Sequence, residues 1–261
     1  MKHVKSIKMK INKITKKRSN LYELLLSDLT KLELYDDTLI KYGLLTKKEL
    51  DNNELKDITS YNNLLDAYYK SIKFITTKLR TTQEIEKKLI SLGYPKDIIN
   101  NTIDRLIKEK YLNDEIYIKC YINDQINLSL KGPNKIKNEL VKLKLSPNII
   151  DEYLSTFSVD LWIERIKKII EKKKKANHNL SNISFKNKVT KDIINLGYSS
   201  NLVKELTNNI YIDNELDILR KEFEKEKRKL SRKYEGNELN KKIKYNLYKK
   251  GFNVEYIESL L

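Results

Sequence analysis

The sequence predicts a mainly α-helical fold, built as tandem three-helix repeats that form an elongated curved array, with a small β-containing module at the N-terminus. A recurring motif is the first observation behind this prediction. An octet that ends in glycine and an aromatic residue, followed by an apolar pair four and five residues later, occurs at positions 87–94, 191–198 and 245–252. A fourth copy at 138–145 carries Lys144 in place of the glycine. The copies are 51, 53 and 54 residues apart, a period typical of stacked helical units.

Composition is the second observation, and it excludes several classes of protein. The chain has 261 residues, of which 39% are hydrophobic and 34% charged, with six glycines and three prolines; this balance favours long amphipathic helices over a loop-rich β fold. No apolar run approaches the roughly 20 residues that cross a bilayer, and the basic N-terminus lacks the apolar core of a signal peptide. We therefore expect a cytoplasmic protein without membrane contact. The single cysteine, Cys120, is expected to be a small buried residue on a helix.

The net charge of +17 is concentrated in three segments. Residues 1–18 contain eight Lys or Arg and no acid, residues 164–175 contain seven basic and two acidic residues, and residues 220–233 contain eight and three. Such segments favour contact with polyanions such as nucleic acid. The alternative is that these lysines decorate solvated helix faces.

Residues 1–60 form the predicted β-containing module. Ile7, Met9 and Ile11 alternate with polar residues, the pattern of a half-exposed strand. Two apolar runs flank residues 27–31 and predict a hairpin. Beyond it, Asp36 or Asp37 is expected to cap a short helix that ends before Gly43, and Thr46 to open another.

From Tyr61 onward the pattern is helical. Thr81 and Glu84 form a capping box at a helix start, and Gly93 with Tyr94 predicts a Schellman-type end in which the glycine is left-handed. Lys144 at the equivalent position costs about 1 kcal/mol if the turn is kept. The three prolines all fall at expected helix starts. Caps for the following long helices are predicted in segments 111–114, 157–160 and 211–214. The predicted units after the module are repeat 1 (61–112), repeat 2 (113–157), repeat 3 (158–212) and repeat 4 (213–261).

Catalytic motifs are absent from the sequence. Gly132 and Gly236 stand alone rather than in a phosphate-binding loop, and His3 and His178 have no partner at metal-ligand spacing. We therefore expect no enzyme activity, no catalytic residue, no metal and no cofactor.

The seventeen tyrosines have two interpretations. Tyrosine interleaved with lysine can stack on unpaired bases, but packing is expected for most of them, including Tyr68, Tyr94 and Tyr198, and burial is expected for Trp162.

The ordered motifs of the chain resemble the RecX family, the regulatory proteins of the recombinase RecA. The resemblance covers residues 64–261 and lies in four stretches: Arg80-Thr81-Thr82-Gln83-Glu84-Ile85 with Leu89 and Gly93-Tyr94; Arg105-Leu106 with Tyr111-Leu112-Asn113-Asp114; Lys131-Gly132-Pro133-Asn134-Lys135-Ile136 with Glu139-Leu140; and Gly251-Phe252. Departures from the family pattern are Asn113 in place of an acid, Ile116 and Ile118 in place of Arg and Ala, and Leu143-Lys144 in place of Lys-Gly.

The resemblance implies a non-catalytic, monomeric regulator in DNA repair, homologous recombination and the SOS response. Its partner would be the filament of RecA on single-stranded DNA, in whose helical groove it would lie, inhibiting ATP turnover and strand exchange; non-specific contact with double-stranded DNA is a further expectation. The alternative is a free-standing basic helical protein that binds nucleic acid without a recombinase. The residues expected to contact filament or DNA are Lys131, Lys135, Lys137, Lys172, Lys173, Lys174 and Lys175.

Overall fold

The computed structural model describes residues 8–261, and the chain divides into two compact units between Tyr117 and Ile118. The predicted fold class, mainly α with three-helix repeats and a small N-terminal β module, is confirmed. The first unit contains β1 (Met9–Lys16), β2 (Leu21–Leu26), β3 (Lys31–Tyr35), α1 (Asp36–Lys41), β4 (Glu49–Leu50), α2 (Asn52–Ile75), α3 (Thr82–Ser91) and α4 (Lys96–Lys108). Helix α5 (Asp114–Leu128) crosses the boundary. The second unit continues with α6 (Pro133–Lys142), α7 (Pro147–Ser155), α8 (Val159–Lys175), α9 (Asn182–Asn195), α10 (Ser200–Asn208), α11 (Glu215–Leu230), α12 (Gly236–Lys249) and α13 (Val254–Glu258).

The four strands form one antiparallel sheet in the order β3-β2-β1-β4. Leu24 and Leu26 alternate along β2 with partly exposed residues and are fully buried, because successive side chains of a strand point to opposite faces. The predicted hairpin is confirmed, with Leu25 of β2 paired to Lys31 of β3. The predicted first strand is also confirmed from Met9 onward, whereas Ile7 lies outside the described residues.

The connection from β3 to α2 differs in part from the prediction. Helix α1 lies where a short helix was expected, but Asp36 and Asp37 occupy its first turn rather than its N-cap. The prediction of a helix that begins at Thr46 is wrong. The Thr46 hydroxyl donates backwards to the carbonyl of Gly43 at 3.1 Å, and the chain then forms β4, where buried Leu50 pairs with Met9.

Helix α2 is 24 residues long and serves two cores. It begins at Asn52, nine residues before the expected start, because Asp51 and Glu54 complete a capping box there. Ile58 in its first half packs in the core of the sheet, and Ala67 in its second half packs with α3 and α4. Position 60 therefore lies inside a continuous helix.

A long helix followed by two shorter helices occurs four times: α2–α4, α5–α7, α8–α10 and α11–α13. The Schellman end of α3 is confirmed, since Gly93 has φ +82° and the N–H of Tyr94 donates to the carbonyl of Leu89 at 3.2 Å. Lys144 keeps the same left-handed turn with φ +58°. The repeat boundaries given above stay a prediction.

Two of the three predicted caps of the long helices are confirmed. The side chain of Asn113 accepts the N–H of Ile116 at 3.0 Å, and that of Ser158 accepts the N–H of Leu161 at 3.3 Å. The prediction for the third was wrong, since Asn214 makes no side-chain cap. Its backbone has ψ 21° instead of the extended conformation of an N-cap.

The expected packing of Tyr68, Tyr198 and Trp162 is confirmed, since all three side chains are buried, and Tyr94 is half-buried. The prediction for the cysteine is wrong. Cys120 is exposed, because the buried positions of α5 on either side of it are Ile118 and Ile122. These two lie on one face of the helix, and a residue midway between them points away from that face. No described helix is long and apolar enough to cross a membrane.

Candidate nucleic-acid interface

The seven lysines predicted to make contacts all lie in the second unit. Lys131 precedes α6, Lys135 and Lys137 lie on α6, and residues 172–175 form the last turn of α8. A lysine that already has a carboxylate partner has less to gain from a phosphate, so the ion pairs of each lysine decide what it offers to a ligand.

Lys131 and Lys137 both belong to ion pairs. The ammonium group of Lys131 lies 2.7 Å from a carboxylate oxygen of Glu139, which also accepts from the Tyr121 hydroxyl at 2.7 Å. Partial burial opposes the ionisation of Glu139, but these two hydrogen bonds outweigh it and lower the pKa of Glu139. Lys137 reaches Asp151 of α7 at 2.6 Å. Both lysines therefore brace the second three-helix set.

The backbone around Lys135 packs against the turn that follows α9. The N–H of Gly132 donates to the carbonyl of Leu196 at 2.7 Å, and the N–H of Asn134 donates to the carbonyl of Gly197 at 3.0 Å. A Cβ atom on Gly197 would lie 2.4 Å from the Cβ of Lys135. Gly132 is therefore the place where two repeats meet backbone to backbone.

Arg165 belongs to the basic segment 164–175 but turns inward. Its guanidinium donates to the carbonyl of Ile126, to that of Ser129 at 2.7 Å and to that of Lys131 at 3.4 Å, and its Nε donates to the hydroxyl of Tyr198 at 3.3 Å. A helix C-terminus leaves carbonyl groups without intrahelical partners, and Arg165 satisfies those at the end of α5. This positive charge is therefore structural.

The last turn of α8 contains both paired and free lysines. Lys173 lies 2.6 Å from Asp192 of α9, and Lys174 lies 3.5 Å from Glu171. Lys172 and Lys175 are exposed and, within residues 8–261, have no ion-pair partner. The four lysines, which are alike in sequence, therefore fall into two classes in the structure.

Lys168 joins the two free lysines of α8 on one face. Positions 168, 172 and 175 follow the i, i+4, i+7 spacing of a single helix face, and all three side chains are exposed. We call these three residues the lysine stripe; it extends about 10 Å along the helix axis. Its charge is available to a polyanion, which gains entropy by releasing counterions as it binds. Lys168 was not among the predicted contacts, although its position four residues before Lys172 was a usable signal.

A polar groove of about 530 Å³ lies between α6 and the turn that joins α9 to α10. Its lining includes two lysines, Lys135 and Lys142, and three asparagines. Lys135 has no ion pair with any described residue, so the groove adds a second location with available positive charge. In the described part of the chain, no group of three or more His, Cys, Asp or Glu side chains could hold a metal ion.

Comparisons with known proteins agree with this arrangement of repeats. The family model described as "RecX, first three-helix domain" matches residues 67–106. The regulatory protein RecX of Streptococcus uberis is 31% identical over 257 residues, which are 97% of this chain and 98% of the relative. The RecX of Limosilactobacillus reuteri is 27% identical and covers 97% of each chain.

Solved structures give the same result. A crystal structure of regulatory protein RecX superposes with a TM-score of 0.66 at 26% identity, covering 77% of this chain and 100% of that one. The RecX of Lactobacillus salivarius superposes with a TM-score of 0.53 at 27% identity, covering 57% of this chain and 96% of the other. With 31% identity along nearly the whole of both sequences, the chain belongs to the RecX family of regulatory proteins.

Proposed function

We propose that this chain regulates the recombinase RecA by binding the filament that RecA forms on single-stranded DNA, within the helical groove of that filament. The observation that carries the proposal is the similarity to RecX regulatory proteins over 97% of the chain. The proposed result is inhibition of ATP turnover and of strand exchange, and therefore control of homologous recombination in DNA repair and the SOS response. The protein acts without chemistry of its own and as a monomer.

The repeated architecture supports this proposal physically. Four three-helix sets offer several similar surfaces along one chain, and a filament offers several identical protomers. When several weak contacts form on one polymer, each later contact is intramolecular and gains from a high effective concentration. The lysine stripe supports an additional contact with the phosphates of the filament's DNA or of a duplex.

The test measures DNA-stimulated ATP hydrolysis by RecA with the full chain added at substoichiometric amounts. The salt concentration is set so that binding of the chain to DNA alone is negligible, because that condition separates a filament regulator from a free-standing nucleic-acid-binding protein. We expect inhibition. Unchanged ATP hydrolysis would favour a free-standing nucleic-acid-binding protein. In a separate incubation of the chain with DNA and Mg²⁺, cleavage of the DNA would contradict a non-catalytic role.

A further inference from the structure

Two tyrosines on α12 are exposed. The side chains of Tyr245 and Tyr248 are 58% and 61% exposed, whereas Tyr198 is 2% exposed. Residues three apart on a helix are neighbours on its surface, so the two rings lie side by side. Their exposure has no packing explanation, because the buried positions of this helix are Ile243 and Leu247.

The same face of α12 is basic. Lys241, Lys242 and Lys249 are exposed, and the 3.6-residue period places them beside the two tyrosines and away from Ile243 and Leu247. The Lys249 ammonium lies 5.6 Å from the centroid of the Tyr245 ring. We call Lys241, Lys242, Tyr245, Tyr248 and Lys249 the α12 platform.

The charge of the α12 platform is available for a ligand. In the part of the chain that the structure describes, none of its three lysines forms an ion pair, whereas the neighbouring Lys244 is paired with Glu258. The single acid of α12, Glu238, lies in the first turn. Lys242 also lies 5.5 Å from the centroid of the Tyr234 ring, which follows exposed Arg232 and Lys233 in sequence. Positive charge therefore continues into the segment before α12.

We propose that the α12 platform binds single-stranded nucleic acid, with the two tyrosine rings stacked on unpaired bases and the lysines in contact with phosphates. Aromatic rings set among cations suit this ligand, because every base offers a flat face and every nucleotide a negative charge. A duplex hides the faces of its bases in the stack, so the rings cannot contribute there and only the lysines would. The platform consequently selects single strands over duplexes.

The inference rests on the proposed function for the source of the ligand, which is the strand that the recombinase coats. Its chemistry does not require the recombinase, so the experiment omits it. An acidic protein surface is the competing occupant of the platform. It would contact the same lysines, and removal of the two tyrosine rings would then change the affinities for single strands and for duplexes equally.

The experiment measures fluorescence anisotropy of a labelled oligothymidine of roughly 20 nucleotides, longer than a typical site for one small domain, and of a duplex of equal length. The full chain is compared with the double variant Tyr245→Ala/Tyr248→Ala. We expect single-strand affinity to fall by about 10-fold or more, since each stacked base contributes that order of magnitude, while duplex affinity stays within about twofold of the original. Tyr245→Phe/Tyr248→Phe, which keeps the rings, should retain single-strand binding.

Tyr211→Ala is the matched control. Tyr211 is 56% exposed in the same unit, but the residues next to it in sequence are Ile210, Ile212 and Asp213 rather than lysines. It should bind both probes like the original chain. Single-strand affinity within twofold of the original for the double alanine variant, an equal loss on the duplex, or an equal loss for Tyr211→Ala would overturn the inference.

The two proposals fail separately. If the original chain inhibits RecA while the double alanine variant binds oligothymidine normally, the inference about the α12 platform is wrong and the proposed regulatory role stands. If the chain leaves RecA unaffected while the variant loses single-strand affinity, the regulatory role is wrong and the platform stands.

Discussion

Gly132 lies so close to Gly197 that a Cβ atom on Gly132 would be 2.6 Å from the carbonyl carbon of Gly197. The two glycines join the start of α6 to the turn after α9, which belong to different three-helix sets. Alanine in place of a glycine can be unfavourable because its Cβ atom collides with a neighbour or because the backbone has a positive φ. Three glycines of the chain separate these two effects. Gly132 has φ −87° and only the steric conflict, Gly93 has φ +82° with open space around it, and Gly197 has both.

We therefore expect a graded loss of stability in alanine variants of these glycines. Gly132→Ala should cost about 1–3 kcal/mol from overpacking, Gly93→Ala about 1 kcal/mol from backbone strain, and Gly197→Ala more than either. Urea denaturation followed by circular dichroism measures each free energy of unfolding. Equal values for Gly132→Ala and the original chain would show that the contact between the two glycines is not tight in solution.

Arg165 predicts a second stability effect. Arg165→Met keeps the aliphatic stem but removes the donors that satisfy the carbonyls of Ile126 and Ser129. Loss of a charged donor to partly buried acceptors costs about 2–3 kcal/mol. The control is Lys168→Met on the same helix, an exposed position where the change should stay within about 0.5 kcal/mol. Thermal and urea unfolding distinguish the two variants, and similar stabilities would contradict a structural role for Arg165.

The cluster of Lys250 with Glu222 and Glu226 predicts a dependence on pH. Lys250 donates to each carboxylate at 2.7 Å. Its hydrogen bond, together with one from Asn246, lowers the pKa of buried Glu226 against the opposing effect of burial. In the folded protein the Glu226 carboxylate thus stays charged at a pH where the same group in the unfolded chain already takes up a proton.

The stability from this cluster is present in full above the unfolded pKa of 4.5 and is lost as pH falls through the lower folded value. Because Lys250 is 37% exposed, solvent screening keeps the effect of Lys250→Met at neutral pH near 1 kcal/mol. Urea unfolding at several pH values should show the variant and the original chain converging below pH 4.5. A constant difference at all pH values would contradict the linkage.

The lysine stripe predicts the salt dependence of DNA binding. Each phosphate contact contributes about −0.7 to the slope of log K against log salt on single strands and about −0.9 on duplexes. Replacing Lys172 and Lys175 with glutamine should therefore reduce the slope by about one to two units. Lys173→Gln is the control, because Lys173 is already paired with Asp192, and it should leave the slope nearly unchanged. An equal reduction from Lys173→Gln would show that the ion pair opens on binding.

Features that depend on neighbouring residues in sequence could be predicted. The hairpin, the capping box at Thr81 and the left-handed turn at Gly93 each involve contacts within a few positions. Local backbone preferences settle such elements, so a single sequence contains enough information about them.

Features that depend on distant partners could not be predicted. Leu50 is in a strand because Met9 is available to pair with it 41 positions earlier, and no local pattern reports that pairing. The free and paired lysines of α8 are identical in sequence, and the position of Asp192 on α9 alone distinguishes Lys173. Helix α5 has apolar residues on several faces, including exposed Ile116, so its sequence did not reveal that Cys120 would face solvent.

The double role of α2 has a consequence for how the chain can be divided. Asn62 accepts the N–H of Tyr35 at 2.9 Å and donates to the carbonyl of Glu33 at 2.8 Å, while Asp66 accepts from the hydroxyls of Tyr35 and Tyr94. A shortened protein that starts at residue 61 would lose the cap at Asp51 and leave these amide and carboxylate groups without their partners from the strands. A cut that keeps the sheet and the three-helix set α2–α4 in one piece consequently preserves these contacts, and a cut within α2 does not.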